Sequence, residues 1–160
     1  MSYRIGLGYD VHQLADGETL WLGGILIPHD KGLIAHSDGD VLLHAICDAL
    51  LGAAKLRDIG YHFPDTSTEF KNIDSKILLA ETYRLITEKG FKLVNLDATI
   101  SAQRPKLNGF IPEMETTIAR VMNIETDSVN IKATTTEKLG FEGREEGISV
   151  QAVVLIEKIG

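Results

Sequence analysis

The chain has 160 residues, 44% of them hydrophobic and 24% charged, and this composition predicts one globular domain over residues 1–160. Because 23 acidic residues outnumber 16 basic ones, the net charge is −7, and we expect neither a nucleic-acid nor a membrane partner. The chain has no apolar run of the roughly 20 residues that span a bilayer, and its single cysteine, Cys47, excludes an intramolecular disulfide. A bacterial cytoplasm is the expected location, although a processed plastid protein would show the same features.

The first third of the chain predicts strands followed by a helix. Apolar residues alternate over 3–9, which predicts a strand, and 19–28 predicts two short strands or one strand bent at its two glycines. Over 41–53 the apolar residues recur at helical spacing, which predicts a helix with Ser37 and Asp40 as a capping box in front of it.

The rest of the chain predicts two more helices and three more strands. The helices are expected over 74–89, ended by the glycine that follows, and over 112–122, opened by a proline. The strands are expected over 91–102, 128–135 and 147–157. The order β-β-α-α-β-α-β-β predicts an α+β fold, an α/β sandwich in which the helices pack on one face of a single mixed sheet.

Three residues have the spacing of a metal site. Asp10 and His12 stand two apart at the end of the first predicted strand, so their side chains share one face. His44 falls in the first two turns of the first predicted helix and could supply a third ligand. A carboxylate and two imidazoles with one position left open are typical of a catalytic zinc-type site. Taken alone, Asp10 and His12 also fit a polar strand end that is hydrogen-bonded to nearby backbone. Taken alone, His44 also fits a helix histidine with ordinary hydrogen-bond partners.

Two further segments concentrate polar side chains. Residues 36–40 (HSDGD) directly precede the helix of His44, where carboxylates and amides could orient a metal-bound histidine or attract an anion. Residues 134–144 combine threonine hydroxyls with Glu137, which could hold Mg²⁺, and Arg144, which could hold phosphate. Helix capping and β propensity are the alternative explanations for these segments.

Six motifs follow one another along residues 4–157, and together they resemble the 2-C-methyl-D-erythritol 2,4-cyclodiphosphate synthase family. They are GLGYDVH at 6–12, AHSDGD at 35–40, DIG at 58–60, FPD at 63–65, AQRPK at 102–106 and KATTTEKLGF at 132–141. The resemblance implies a lyase of the non-mevalonate route to isoprenoids that converts 4-diphosphocytidyl-2-C-methyl-D-erythritol 2-phosphate to the 2,4-cyclodiphosphate and CMP. It also implies a homotrimer with active sites between adjacent subunits.

The resemblance assigns roles to individual residues. It places Zn at Asp10, His12 and His44, and it gives Glu137 a Mg or Mn ion that bridges the substrate diphosphate. His36 and Thr135 match the residues that stabilise the transition state. The substrate-binding positions it implies are Asp10, His12, His36, Ser37, Asp58, Gly60, Phe63, Asp65, Ala102, Pro105, Lys106, Leu107, Thr134, Thr135, Glu137, Phe141 and Arg144. Several relatives also bind an isoprenoid diphosphate in a channel along the trimer axis, and the resemblance leaves this open here.

Two other functions fit the same residues. A metal-dependent phosphohydrolase would use an ion at Asp10, His12 and His44 to activate water, and its products would differ. A non-catalytic sensor of nucleotides or isoprenoid diphosphates would keep the fold without turnover. The open metal position argues against the sensor, because a pure binder does not need one.

Overall fold

A five-stranded mixed sheet forms the centre of the structure, a computed structural model that describes residues 2–160. Met1, the first residue of the predicted domain, lies outside the described residues. The strands of the chain are β1 (Tyr3–Asp16), β2 (Leu20–Leu22), β3 (Ile25–Ile27), β4 (Lys31–Leu33), β5 (Phe91–Ser101), β6 (Val129–Thr134) and β7 (Gly147–Lys158). The sheet order is β4-β1-β7-β5-β6, with β5 and β6 parallel and the other pairs antiparallel, while β2 and β3 form a separate hairpin.

The helices cover one face of this sheet. They are α1 (Val41–Ala53), α2 (Ile59–His62), α3 (Ser75–Glu88), α4 (Ile111–Met122) and α5 (Gly140–Gly143), with short 3-10 turns at Thr68–Phe70, Asn108–Phe110 and Thr126–Ser128. Helix α1 packs on β1 and β7, α3 packs on α1, and α4 packs on β6. Among residues 2–160, no helix combines the length and the apolar character needed to cross a bilayer. The predicted α+β fold, with helices on one face of a mixed sheet, is confirmed.

Several predicted boundaries agree closely with the structure. Helix α3 begins after Asp74, whose carboxylate accepts a hydrogen bond from the Lys76 N–H, and ends before Gly90, which has a φ of 87°. Helix α4 carries its proline in the first turn, as predicted. These boundaries were predictable because caps, glycines and prolines act over two or three residues.

Three local predictions were wrong. Strand β1 continues to Asp16, so Asp10 and His12 lie inside the strand and not at its end, because β7 pairs with it as far as Gln13. Segment 19–28 forms two short strands, as predicted, with turn glycines at φ values of 67° and 77°, but the strands pair only with each other, so they lie outside the predicted single sheet. Ser37 does not cap α1, because the N-cap is Asp40.

The buried Asp40 carboxylate ties the hairpin to helix α1. It accepts hydrogen bonds from the N–H groups of Leu43 (3.0 Å), Gly23 (3.0 Å) and Gly24 (2.7 Å). Burial raises the pKa of this carboxyl, and the amide donors oppose that shift. A fully buried carboxylate is tolerated here because backbone amides replace its water.

Glycines on β1 let helix α1 approach the sheet very closely. A Cβ added to Gly6 or Gly8 would lie 1.9 Å from the Ala49 carbonyl oxygen or 1.8 Å from that of Ala45. The apolar side chains that alternate with these glycines therefore lie on the opposite face, where Leu7 is 67% exposed. That face carries the apolar residues Tyr3, Ile5, Leu7, Tyr9, Val11 and Val153, which we call the open sheet face.

Gly8→Ala is expected to destabilise the fold, because the added methyl group would force β1 and α1 apart. We expect a loss of about 3 kcal/mol or more in the free energy of unfolding, measured by denaturant titration. Gly52→Ala is the matched control, since a Cβ there meets nothing within 4 Å, and alanine within a helix should stabilise it by roughly 1 kcal/mol. Equal stability of the Gly8→Ala variant and the native chain would contradict the close packing.

Candidate active site

Asp10, His12 and His44 converge at one point between β1 and α1. The Asp10 Oδ2 atom lies 3.0 Å from His12 Nε2 and 3.2 Å from His44 Nδ1, and the two nitrogens are 3.1 Å apart. Two ligands about 2.0 Å from a tetrahedral ion lie roughly 3.3 Å apart, so the spacing and the donor types fit a divalent metal. Among residues 2–160, this is the group of His, Cys, Asp and Glu side chains whose ligand atoms gather closely enough to hold one ion.

Asp10 and His44 shift each other's pKa values. Partial burial alone would raise the pKa of Asp10, but hydrogen bonds and charge attraction from His12 and His44 outweigh it and hold that pKa well below its usual range. Burial would lower the pKa of His44, yet the hydrogen bond to Asp10 and the charges of Asp10, Asp40 and Asp38 raise it. The site therefore concentrates negative charge around two imidazoles, and a cation that binds takes the place of a proton.

The cluster lines a cavity of about 440 Å³, which we call the metal cavity. Its wall includes His36, whose Nε2 lies 3.1 Å from the Ser67 carbonyl oxygen, and Ser37, whose Oγ lies 3.2 Å from His44 Nε2. The predicted substrate residues that line this cavity are Asp10, His12, His36, Ser37, Gly60, Phe63 and Asp65. Asp58 lies beside it and caps α2 by accepting the Tyr61 N–H at 2.8 Å.

A second cavity of about 260 Å³, the loop cavity, lies next to the C-terminal ends of β5 and β6. The predicted residues that line it are Ala102, Pro105, Lys106, Leu107, Thr134 and Thr135. Glu137 follows at a φ of 54°, and its N–H donates to Thr135 Oγ1 at 3.3 Å. Strands β1 and β6 are three strand spacings apart, about 14 Å, so the chain holds Glu137 and the Asp10 cluster on separate parts of the sheet.

Phe141 and Arg144 line a third hollow together with His12 and Lys31. The Arg144 guanidinium pairs with the Glu146 carboxylate, with Nε and Oε1 2.8 Å apart. Hydrogen bonds from Arg144, and its charge, lower the pKa of the exposed Glu146 carboxyl. Both predicted residues therefore lie near the end of β1 and not in the loop cavity.

Two residues of the site were missed by the sequence analysis. Ser75, fully buried at the start of α3, places its Oγ 2.8 Å from His44 Nε2. Asp48, one turn after His44, accepts the Ile59 N–H at 2.7 Å and so anchors α2 beside the metal cavity. Helix spacing from His44 could have revealed Asp48, whereas no local signal marks Ser75.

Comparison with known proteins shows which family the chain belongs to. The profile of the YgbB family matches residues 3–157. The chain belongs to the YgbB family. A relative from Phocaeicola vulgatus, 68% identical over 158 residues and covering 99% of both chains, is named 2-C-methyl-D-erythritol 2,4-cyclodiphosphate synthase. The predicted membership in the 2-C-methyl-D-erythritol 2,4-cyclodiphosphate synthase family is thereby confirmed.

Two solved structures share the fold of this chain. The bifunctional IspDF from Campylobacter jejuni is 46% identical with a TM-score of 0.95 and covers 99% of this chain, which in turn spans 43% of that longer chain. IspF from Plasmodium falciparum, solved as a CDP complex, is 34% identical with a TM-score of 0.87 and matches over 99% of this chain and 98% of its own.

Asp48→Ala is expected to weaken substrate binding in this YgbB-family site, because α2 loses its anchor to α1. A hydrogen bond to a charged group contributes about 1.5–3 kcal/mol, so we expect KM to rise about 10-fold or more with a smaller change in kcat. Steady-state kinetics measure the split between the two parameters. Asp48→Asn keeps an oxygen that can accept the Ile59 N–H, so its KM should lie between those of the native chain and the alanine variant. An unchanged KM in the alanine variant would contradict the anchoring role.

Proposed function

We propose that this chain is a 2-C-methyl-D-erythritol 2,4-cyclodiphosphate synthase, a phosphorus–oxygen lyase. It would convert 4-diphosphocytidyl-2-C-methyl-D-erythritol 2-phosphate to the cyclic diphosphate and CMP. The observation that carries the proposal is the convergence of Asp10, His12 and His44 at the cavity that His36 and Ser37 also line. Membership in the YgbB family supports the same reaction.

The reaction needs no nucleophile from the protein. An oxygen of the substrate's 2-phosphate attacks the β-phosphorus, the bond from that phosphorus to the oxygen shared with the α-phosphate breaks, and CMP leaves with that oxygen. A zinc ion at Asp10, His12 and His44, and a Mg or Mn ion at Glu137, would supply Lewis-acid charge neutralisation to the diphosphate. The chain's own residues would contribute by holding the two phosphates in line and by excluding water.

The two cavities suit the two ends of the substrate. The metal cavity offers Gly60, Phe63 and Asp65 to the methylerythritol portion, next to His36 and Ser37. The loop cavity offers Pro105 and Lys106 to the cytidine portion, next to Thr135. A CDP complex of a relative that shares the fold supports a nucleotide site in this family. Asp58 would contact the methylerythritol hydroxyls from the rim, and Phe141 and Arg144 would complete the surroundings.

We infer that each complete site forms between two subunits of a homotrimer. Within one chain, the proposed transition-state residues His36 and Thr135 line different cavities. The open sheet face supports assembly, because apolar strand residues such as Ile5, 76% exposed, are favourable only when covered. An isoprenoid diphosphate beside Arg144 on the trimer axis, and a bacterial cytoplasmic location, stay predictions.

Product analysis tests the proposed reaction. The purified protein is incubated with 4-diphosphocytidyl-2-C-methyl-D-erythritol 2-phosphate, Mg²⁺ and Zn²⁺, with and without a chelator, and the products are identified by mass spectrometry. We expect CMP and the cyclic diphosphate, both lost with the chelator. CMP with a water-added open-chain product would instead indicate the phosphohydrolase, and tight binding without turnover would indicate the sensor.

A further inference from the structure

A chain of two hydrogen bonds leads from the metal cluster into the protein. His44 turns Nδ1 toward Asp10 and His12, and its other ring nitrogen, Nε2, lies 2.8 Å from Ser75 Oγ. Ser75 Oγ lies in turn 2.5 Å from Asp38 Oδ1. Ser75 is fully buried, so no water competes with its hydroxyl for these partners.

The direction of each hydrogen bond in this chain follows from the donors around Asp38. Its carboxylate also accepts the Asp40 N–H at 3.1 Å and the Ser75 N–H at 2.9 Å. An ionised carboxylate only accepts, so the Ser75 hydroxyl proton must lie on the Asp38 side. The Ser75 oxygen therefore acts as the acceptor toward His44, and the His44 Nε2 atom must carry a proton and donate it in this hydrogen bond.

A second hydroxyl is placed in agreement with this direction. Ser37 Oγ lies 3.2 Å from His44 Nε2 and accepts the Gly39 N–H at 3.2 Å. With its proton on Nε2, the His44 ring has its remaining lone pair on Nδ1, the atom that faces Asp10 and His12. That tautomer is the one in which His44 can act as a metal ligand in the cluster.

We propose that Ser75 and Asp38 are positioning residues that set the tautomer and the ring orientation of His44. The proposal rests on the metal-binding role of His44 in the proposed function and deepens it. Asp38 acts through Ser75, 37 positions later in the chain, and α3 is the element that brings the serine to the ring. The start of α3 therefore serves as the outer wall of the metal site.

Metal affinity tests the proposal without relying on turnover. Ser75→Ala deletes the acceptor for the Nε2 proton but keeps the backbone N–H that bonds Asp38. Asp38→Asn keeps the shape of the side chain, but its amide group can donate to Ser75 Oγ and so reverse the direction of the two hydrogen bonds. The control is Ser149→Ala, which removes another buried serine hydroxyl on a carboxylate, that of Glu142 at 2.7 Å, outside the metal cluster.

The probe is Co²⁺ alone, titrated into the metal-free full chain and followed by visible absorption. We expect Ser75→Ala and Asp38→Asn each to weaken Co²⁺ binding by roughly 10- to 100-fold, with Ser149→Ala like the native chain. In the Zn²⁺-loaded native chain, ¹⁵N NMR should show the His44 proton on Nε2.

The outcomes separate this inference from the proposed function. Native Co²⁺ affinity in both variants, or a His44 proton on Nδ1, would overturn the positioning role while leaving the metal site intact. Failure of the native chain to bind Co²⁺ would overturn the metal role of the cluster itself. Should Ser75→Ala unfold, the affinity of the isosteric Asp38→Asn variant decides the matter alone.

Discussion

His44→Ala is expected to remove most of the chain's affinity for a divalent metal. The substitution deletes one of the three converging side chains proposed as ligands and leaves Asp10 and His12 as an incomplete set. The loss should exceed the roughly 10- to 100-fold that removal of an outer hydrogen-bond partner costs. Zinc content after dialysis and isothermal titration with Zn²⁺ measure it, and formation of the cyclic product should fall in parallel.

His29→Ala is the matched control for this experiment. His29 is also a histidine paired with a carboxylate, that of Asp30 at 3.2 Å, but it lies outside the cluster. Its removal should leave zinc stoichiometry and affinity as in the native chain. Zinc binding by the His44→Ala variant with native affinity would show that the ion uses ligands other than His44.

Leu7→Arg is expected to prevent the proposed assembly into a trimer and, with it, the proposed reaction. Leu7 is 67% exposed on the open sheet face. If symmetry-related subunits pack through this face, the introduced arginines would bring like charges together in an interface without water. We expect a monomer by sedimentation or light scattering, and product formation reduced to background, because each site would lack its second cavity. Ile77→Arg on α3 is the control, since Ile77 is 57% exposed on the helical side and should tolerate the charge.

Mixed trimers tell a shared site from a site within one chain. Subunits with His44→Ala keep the loop cavity, and subunits with Thr135→Ala keep the metal cavity. Neither variant should be active alone. Co-expressed subunits should regain part of the activity, because some sites combine the intact metal cavity of one variant with the intact loop cavity of the other. An inactive mixed trimer, or an active Leu7→Arg monomer, would contradict the intersubunit site.

Local sequence signals predicted a large part of the fold. The limits of α3 and α4 followed from Asp74, Gly90 and the proline of α4, because capping and chain-reversal effects act within one turn. Strands β5 and β7 followed from alternation over ten or more residues. The metal cluster was predictable because Asp10 and His12 share a strand face and the motifs together resemble one family.

Other features depended on contacts between distant residues. The sequence showed apolar residues alternating along β1, but which face they occupy was decided by Gly6 and Gly8, whose missing side chains admit α1. Asp40 acts as a cap and as an anchor of the hairpin at once, and only packing shows the second role. Such arrangements depend on chain pairing that local periodicity does not encode.

The sequence by itself determined the family, the three long helices, most of the strands and the three metal-binding candidates, because each of these depends on short-range spacing or on motifs. The short strand β4 and the one-turn helices α2 and α5 were not predicted from the sequence. Only the tertiary structure decided that the proposed catalytic residues His36 and Thr135 line separate cavities, and that Ser75 connects His44 to Asp38. Hydrogen bonds across 31 and 37 positions arise from how α3 packs on α1, and packing is a property of the whole chain.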